Sequence, residues 1–236
     1  LNALNDTERK IITLEDPVEF DIEGVTQIPI DTDKGQSFAE GLRTILRLDP
    51  DVVMVGEIRD ADTARTAIQA SITGHLVLCT FHAQDAASAF ARIVDIIGVN
   101  PIFATAIRVV IGQRLVRKLD DDLKQEFKPD AATAKYIKDN LKDLAKDVRP
   151  DLENLKLYKP GKSEADPFGY KGRTVLMEQL IVTEPIQQFL RGEAADLSVS
   201  AIEKTARAGG MITMLQKGIL KALAGETTLD EVERVL

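Results

Sequence analysis

The stretch LDPDVVMVGEIRD, residues 48–60, decides the fold of this chain. A polar turn, Asp-Pro-Asp, is followed by four apolar residues at positions 52–55. A short apolar run rich in β-branched residues and bounded by turn signals is typical of a strand buried on both faces. Glu57 and Arg59 come directly after it. Since ligands bind in open α/β sheets where the parallel strands end, this carboxylate and guanidinium are candidates for a ligand site.

Two other predicted strands also end at polar side chains. Residues 10–14 form a short β-type run that stops at Glu15 and Asp16, and residues 75–81, HLVLCTF, are followed by His82. The carboxyl ends of parallel strands meet at one edge of a sheet, so these groups and Glu57 are expected to converge. The sequence predicts a mostly acidic site at that edge.

Helical patterns lie between the predicted strands. Ser37 with Glu40 three residues later is a capping-box pattern, Asp60 or Asp62 caps the next helix, and Asp85 caps a third. Pro101 is expected to start a long helix that runs to about Leu119. Strands that alternate with helices predict an α/β fold with a parallel, doubly wound sheet.

Composition excludes several classes of protein. The net charge of −8 leaves no strongly basic face, which counts against nucleic acid as the main partner. The single cysteine, Cys79, permits neither a disulfide framework nor a cysteine zinc site, and it fits a reducing compartment. No apolar stretch approaches the roughly 20 residues of a membrane-spanning helix.

One alternative function for the acidic site is that of a zinc hydrolase. His75 and His82 are the two histidines of the chain, and they are seven residues apart. On a strand this odd separation places them on opposite faces, which disfavours a two-histidine chelate. For His75 a purely structural role also stays open. It would then lie at a helix end or at the start of a strand, with its side chain hydrogen-bonded to the backbone.

Three ordered segments resemble the type II secretion and type IV pilus assembly ATPases. ITLEDPVEF (12–20) resembles their Asp box, LRTILRLDPDVVMVGEIRD (42–60) their Walker B segment and TGHLVLCTFH (73–82) their His box. The resemblance resumes at GYKGRTVLMEQL (169–180) and continues through residues 211–236. It implies a RecA-like P-loop NTPase core followed by a mainly helical C-terminal region.

The resemblance also implies roles for individual residues. Glu57 would be the Walker B glutamate that acts on Mg²⁺ through water and polarises the attacking water, and Glu15 a general base or Mg²⁺ organiser. The remaining candidates are nucleotide-associated or subunit-contacting side chains: Asp16, Glu19, Arg59, His75, His82, Arg43 and Arg47. For each arginine, a plain surface salt bridge is an equally open interpretation.

The family further implies cofactors, partners and location. ATP and Mg²⁺ are expected, and phosphoryl transfer suits a site that offers positioning and charge rather than a nucleophile. The protein is expected to be a cytoplasmic homohexamer at the inner membrane, docked on a platform protein of the pilus or secretion machine.

Two departures from the family pattern stand out. No Gly-x-x-x-x-Gly-Lys-Ser/Thr loop occurs in the chain, so no Walker A nest can hold the β- and γ-phosphates. We therefore expect that the sequence is a fragment that begins just after that loop, and that it does not turn over ATP alone. Many members carry a four-cysteine zinc module after RLVRKL (114–119), whereas here Asp120 and two further aspartates follow, so no zinc is expected.

Three segments are predicted: an ATPase core over 1–119, a charged helical insert over 120–168 in place of the zinc module, and a mainly helical subdomain over 169–236. Residues 173–182 are expected to return to the sheet as a strand, and residues 159–168 to form a loop. The predicted function is an ATP-hydrolysing motor. The alternative is a non-catalytic subunit that only helps to assemble the ring.

Overall fold

A computed structural model describes residues 1–164 and 167–236 of the chain. It forms two compact units. The first contains residues 1–83, 88–108 and 182–202, and the second contains residues 84–87, 109–181 and 203–236. These units do not coincide with the three segments predicted from the sequence, which stay a prediction. Residues 165 and 166 of the predicted 159–168 loop lie outside the described residues.

A four-stranded parallel sheet is the centre of the first unit. Its strands are β1 (Ile11–Glu15), β2 (Thr26–Pro29), β3 (Val52–Val55) and β4 (Leu76–Cys79), in the order β2-β1-β3-β4. Both neighbours of each inner strand run parallel to it. Because β1 and β3 are inner strands, their apolar side chains are almost completely buried, as the unbroken apolar runs indicate. The predicted parallel sheet is confirmed.

Two helices of this unit, α1 and α2, begin at caps that the sequence predicts. The Ser37 hydroxyl accepts a hydrogen bond from the Glu40 amide at the start of α1 (Phe38–Ile45). Asp60 accepts from the Thr63 amide, 2.8 Å away, at the start of α2 (Ala61–Ile72). α5 (Glu184–Arg191) lies in the same unit, whereas α3 (Ala86–Ile97) and α6 (Val199–Ala208) each have residues in both units.

The predicted long helix from Pro101 to Leu119 is wrong. Only a 3₁₀ turn, Pro101–Thr105, follows the proline, and residues 109–119 form β5 (Val109–Leu119). β5 pairs antiparallel with β8 (Tyr170–Ile181) in a separate two-stranded sheet, so β8 does not return to the parallel sheet either. The β-branched start of β5 favours a strand, and its partner lies some sixty residues away, where helical periodicity gives no indication of it.

The second unit builds its own hydrophobic core around the charged insert. The insert contains α4 (Ala131–Leu141), which confirms the predicted helix, and the short antiparallel pair β6 (Gln125–Phe127) and β7 (Leu157–Lys159), which was not predicted. Buried residues of the insert pack with α7 (Met214–Leu223): Ile137, Leu141, Leu144, Leu155, Leu157, Ile219 and Ala222. Among the described residues, no helix has the length and apolar character needed to cross a membrane.

A buried carboxylate fixes the last helix, α8 (Leu229–Val235), to β5. Glu231 is 2% exposed, bonds both the guanidinium and the backbone amide of Arg117, and accepts from Arg234 Nε at 3.0 Å. Hydrogen bonds from Arg117 are the main cause that lowers the pKa of Glu231 from 4.5 to about 2. The ionised form of this side chain therefore stabilises the folded second unit.

Glu231→Gln is expected to lower the free energy of unfolding of the second unit by about 2 to 3 kcal/mol at pH 7. Because the folded pKa is depressed, this contribution is present above the ordinary pKa and is lost as pH falls from 4.5 toward 2. The gap between wild type and variant should therefore close over that pH range. All three tyrosines (136, 158 and 170) lie in the second unit, so tyrosine fluorescence during urea unfolding measures it directly.

Glu233→Gln is the matched control, since Glu233 is an exposed acid of the same helix. Its effect should stay within about 0.5 kcal/mol. An equal cost for both variants, or a gap that persists at pH 2, would contradict this account.

Candidate functional site

The carboxyl ends of β1 and β3 approach each other more closely than a side chain would allow. The Gly56 amide donates to the Leu14 carbonyl oxygen at 2.7 Å. A Cβ at position 56 would lie 2.9 Å from that oxygen and 3.3 Å from Glu15 Cα, so only glycine fits without a shift. This contact accounts for the glycine at position 56. It places Glu57 immediately beside the end of β1.

Glu57 lies between a cation and an imidazole. Its Oε2 accepts from Arg59 Nε at 2.7 Å, and its Oε1 lies 2.8 Å from His82 Nε2. The glutamate side chain is 18% exposed, whereas the histidine side chain is 87% exposed. The convergence predicted for the ends of β3 and β4 is therefore present, and the imidazole is accessible to a ligand.

The acids at the end of β1 have their own polar partners. Glu15 Oε1 accepts from Thr13 Oγ1 at 2.5 Å and from Gln27 Nε2 at 2.9 Å. Asp16 Oδ2 accepts from Thr32 Oγ1 at 2.6 Å. None of these three hydrogen-bond partners was predicted from the sequence. A buried threonine inside an apolar strand, which Thr13 is, was the one available indication.

Arg59 connects the two acidic segments. Besides its bond to Glu57, its Nη1 lies 3.7 Å from Asp16 Oδ2 and 3.4 Å from Thr32 Oγ1. One guanidinium therefore bridges the end of β1 and the turn after β3. Like charges at such a site repel, and a shared cation offsets that repulsion.

The structure leaves other candidate residues away from this cluster. Glu19 is exposed and lies four residues beyond the end of β1. Arg43 forms a salt bridge with Asp62, which links α1 to α2, and Arg47 is exposed in a 3₁₀ turn. The surface salt bridge offered as the alternative for Arg43 is what the structure contains. Direct roles for these three residues stay predictions.

His75 lies at the opposite end of β4 from His82. It directly precedes β4, and its Nδ1 is 3.0 Å from the Ala70 carbonyl oxygen and 3.2 Å from Thr73 Oγ1, at the end of α2. This is the backbone-bonded position that the structural alternative describes. The structure does not bring His75 together with Glu57, so its sensing role stays a prediction.

The sequence of the chain matches a known protein family. The model of the family "Type II/IV secretion system protein" matches residues 1–234. The chain belongs to this family. It is 43% identical over 235 residues to a type II secretion system protein E of Xanthomonas campestris, and this match covers the whole chain and 40% of the relative. It is 39% identical to a type IV pilus assembly ATPase PilB of Thermus thermophilus, covering 98% of the chain and 25% of that protein.

A solved structure of the pilus retraction motor PilT with bound ADP shares the fold. The TM-score is 0.65 at 25% identity, and the match covers the whole chain and 55% of PilT. The predicted fold class, a RecA-like α/β core with a mainly helical C-terminal part, is confirmed. The chain spans less than half the length of the two sequence relatives, so the activity of the whole protein is treated below as a proposal.

The residues present fit a magnesium ion that arrives with a nucleotide. Among residues 1–164 and 167–236, no group of three ligand side chains is arranged to hold a metal alone. Mg²⁺ commonly takes one or two carboxylates and completes its shell with phosphate oxygens and water. Glu57, Glu15 and Asp16 are the carboxylates at the carboxyl ends of β1 and β3 that could contribute in this way.

Removal of the two histidine side chains should affect stability to different extents. His75→Ala is expected to lower stability by about 1 kcal/mol, because it removes a helix-end hydrogen bond. His82→Ala should change it by less than about 0.5 kcal/mol, because that side chain is exposed. Thermal unfolding followed by circular dichroism measures both. A larger loss for His82→Ala would contradict the placement of the two side chains.

Proposed function

We propose that the chain is part of an ATP-hydrolysing motor that powers type II protein secretion or type IV pilus assembly. The observation that carries this proposal is the position of Glu57, at the carboxyl edge of a parallel sheet, between Arg59 and His82. Membership in a family whose relatives are named for these machines supports it.

In this proposal Glu57 and Glu15 have different roles in ATP hydrolysis. Glu57 orients and polarises the attacking water, and Glu15 serves as general base or helps to organise the cation. Both carboxylates already accept hydrogen bonds that fix their orientation, which is what positioning of a water needs. Bound Mg²⁺ would supply charge neutralisation at the phosphates.

Arg59 and His82 would adjust the charge around Glu57. In the structure, Arg59 offsets the repulsion between Glu57 and Asp16. A cation bound with nucleotide meets the same need for positive charge, which would free the guanidinium to contact phosphate. His82 is exposed and contacts Glu57. In this proposal it would respond to the γ-phosphate or to a neighbouring subunit.

The assembly that we propose follows from the family. We propose a homohexamer on the cytoplasmic side of the inner membrane, docked on a platform protein. Arg43 and Arg47 would contact phosphate or a neighbouring subunit. Glu19 would complete the Asp box, and His75 would sense the γ-phosphate or link it to the neighbouring subunit. A non-catalytic ring-assembly subunit is the second candidate, and the absence of a Walker A loop from the 236 residues is what favours it.

Glu57→Gln, made in a longer form of the protein that carries a Walker A loop, separates these two candidates. The motor proposal expects wild type to hydrolyse ATP with Mg²⁺ and the variant to lose at least roughly 10²-fold in kcat, because a transition-state contact is removed. Steady-state phosphate release measures it. Glu40→Gln, an exposed acid in the first turn of α1, is the control and should retain activity. Nucleotide binding without hydrolysis by wild type would favour the ring-assembly subunit.

The 236-residue chain alone is expected not to hydrolyse ATP. It contains Glu57, Glu15, Asp16 and His82 but no Gly-x-x-x-x-Gly-Lys-Ser/Thr loop, so nothing of the Walker A type holds the β- and γ-phosphates. Phosphate release by the purified chain, with and without Mg²⁺, is the measurement. Magnesium-dependent turnover that disappears in Glu57→Gln would contradict the expectation.

A further inference from the structure

Contacts between the β3 and β4 segments continue beyond the ends of the two strands. The strands pair in parallel up to Val55 and Cys79. The next residue of the β4 segment, Thr80, then contacts the turn that carries Glu57. Residues 1–83 all belong to the first unit, so these contacts lie within one compact body.

Thr80 bonds both neighbours of Glu57. Its hydroxyl donates to the Gly56 carbonyl oxygen. Its own carbonyl oxygen accepts from the Ile58 amide at 3.1 Å. The Ile58 side chain is buried, which fixes that side of the turn further. The backbone of Glu57 therefore lies between two residues that a single residue holds.

Gly56 is also bound from the side of β1. Its amide donates to the Leu14 carbonyl oxygen at 2.7 Å, while its carbonyl oxygen accepts from the Thr80 hydroxyl. Where a strand ladder ends, backbone groups need other partners, and a threonine hydroxyl can supply the missing donor. Both backbone polar groups of the residue before Glu57 are thus satisfied, each by a different neighbouring segment.

The His82 side chain depends on its backbone for its position, because it is 87% exposed and has little packing. Thr80 lies two residues before it. Arg92 of α3, which also belongs to the first unit, provides a second anchor. Its Nη1 donates to the His82 carbonyl oxygen at 3.3 Å, and its guanidinium carbon lies 5.3 Å from the centre of the Phe81 ring, within the range of a cation–π contact.

We propose that Thr80 is a positioning residue that fixes Glu57 and His82 relative to each other. It binds the backbone on both sides of the glutamate, and it lies on the segment that carries the histidine. The contact of 2.8 Å between Glu57 Oε1 and His82 Nε2 joins two long side chains, which keep a defined geometry only when their segments are held. The relevance of this contact to hydrolysis rests on the proposed function.

The test is the imidazole spectrum of the 236-residue chain with ¹⁵N-labelled histidine. The chain has two histidines, so His82→Gln assigns both signals. Glu57→Gln removes the carboxylate partner and defines the His82 signal without that contact. His75 lies in the same unit, bonded to the end of α2, and serves as an internal reference.

Thr80→Val removes the hydroxyl and keeps a β-branched side chain of the same shape. It is expected to move the His82 signal from the wild-type position toward the Glu57→Gln position and to leave the His75 signal in place. Thr80→Ser keeps the hydroxyl, so the His82 signal should stay at the wild-type position.

Thr44→Val is the matched control. Thr44 is an exposed threonine of the same unit, and its hydroxyl also donates to a backbone carbonyl oxygen, that of Glu40 at 2.9 Å. This variant should move neither signal. An unchanged His82 signal in folded Thr80→Val overturns the proposal, as does an equal shift of the His75 signal in that variant. An equal shift of the His82 signal in Thr80→Ser or in Thr44→Val also overturns it.

Thr80→Ala covers the case in which the valine variant does not fold. It also lacks the hydroxyl and adds no bulk, so the same displacement of the His82 signal is expected, and an unchanged signal overturns the proposal. None of these spectra requires ATP hydrolysis. Failure of this inference is therefore distinguishable from failure of the proposed function.

Discussion

The close approach of the β1 and β3 backbones at Gly56 is the constraint on which the site depends. The Gly56 amide binds the Leu14 carbonyl oxygen, and no side chain separates the two strand ends. Because β1 and β3 are parallel, both strands end at the same edge of the sheet, and their acidic residues lie there. Glu15 and Glu57 therefore lie at the same edge of the sheet, although 42 residues separate them in sequence.

Buried or half-buried carboxylates organise both units, and each has donors suited to its place. Glu57 has an arginine and an imidazole, both exposed enough to move when a ligand binds. Glu231 has two arginines and fixes α8. Glu178 has two helix-start amides, which cannot move without shifting their helices. Glu57 thus has partners that can move, whereas Glu231 and Glu178 have partners that the fold holds in place.

Sequence patterns predicted those strands and helix starts correctly that depend on residues close together in the sequence. The apolar run of β3, the caps Ser37 and Asp60 and the polar residues after strands all gave correct elements, because each depends on neighbouring residues. Non-local pairing was out of reach: β5 looked helical after Pro101, and only its antiparallel partner β8 makes it a strand. The partners of Glu15 and Asp16 were missed for the same reason, since Gln27 and Thr32 come from separate segments.

The central claim is that the three strand ends form one nucleotide site at the carboxyl edge of the sheet. Paramagnetic broadening by Mn²⁺ with a non-hydrolysable ATP analogue, read on the histidine signals of a longer form of the protein that carries a Walker A loop, tests it most directly. The strand β4 between the two histidines spans roughly 13 Å, so they should differ sharply. The account predicts strong broadening of His82 and much weaker broadening of His75. Equal broadening, or stronger broadening of His75, would contradict it.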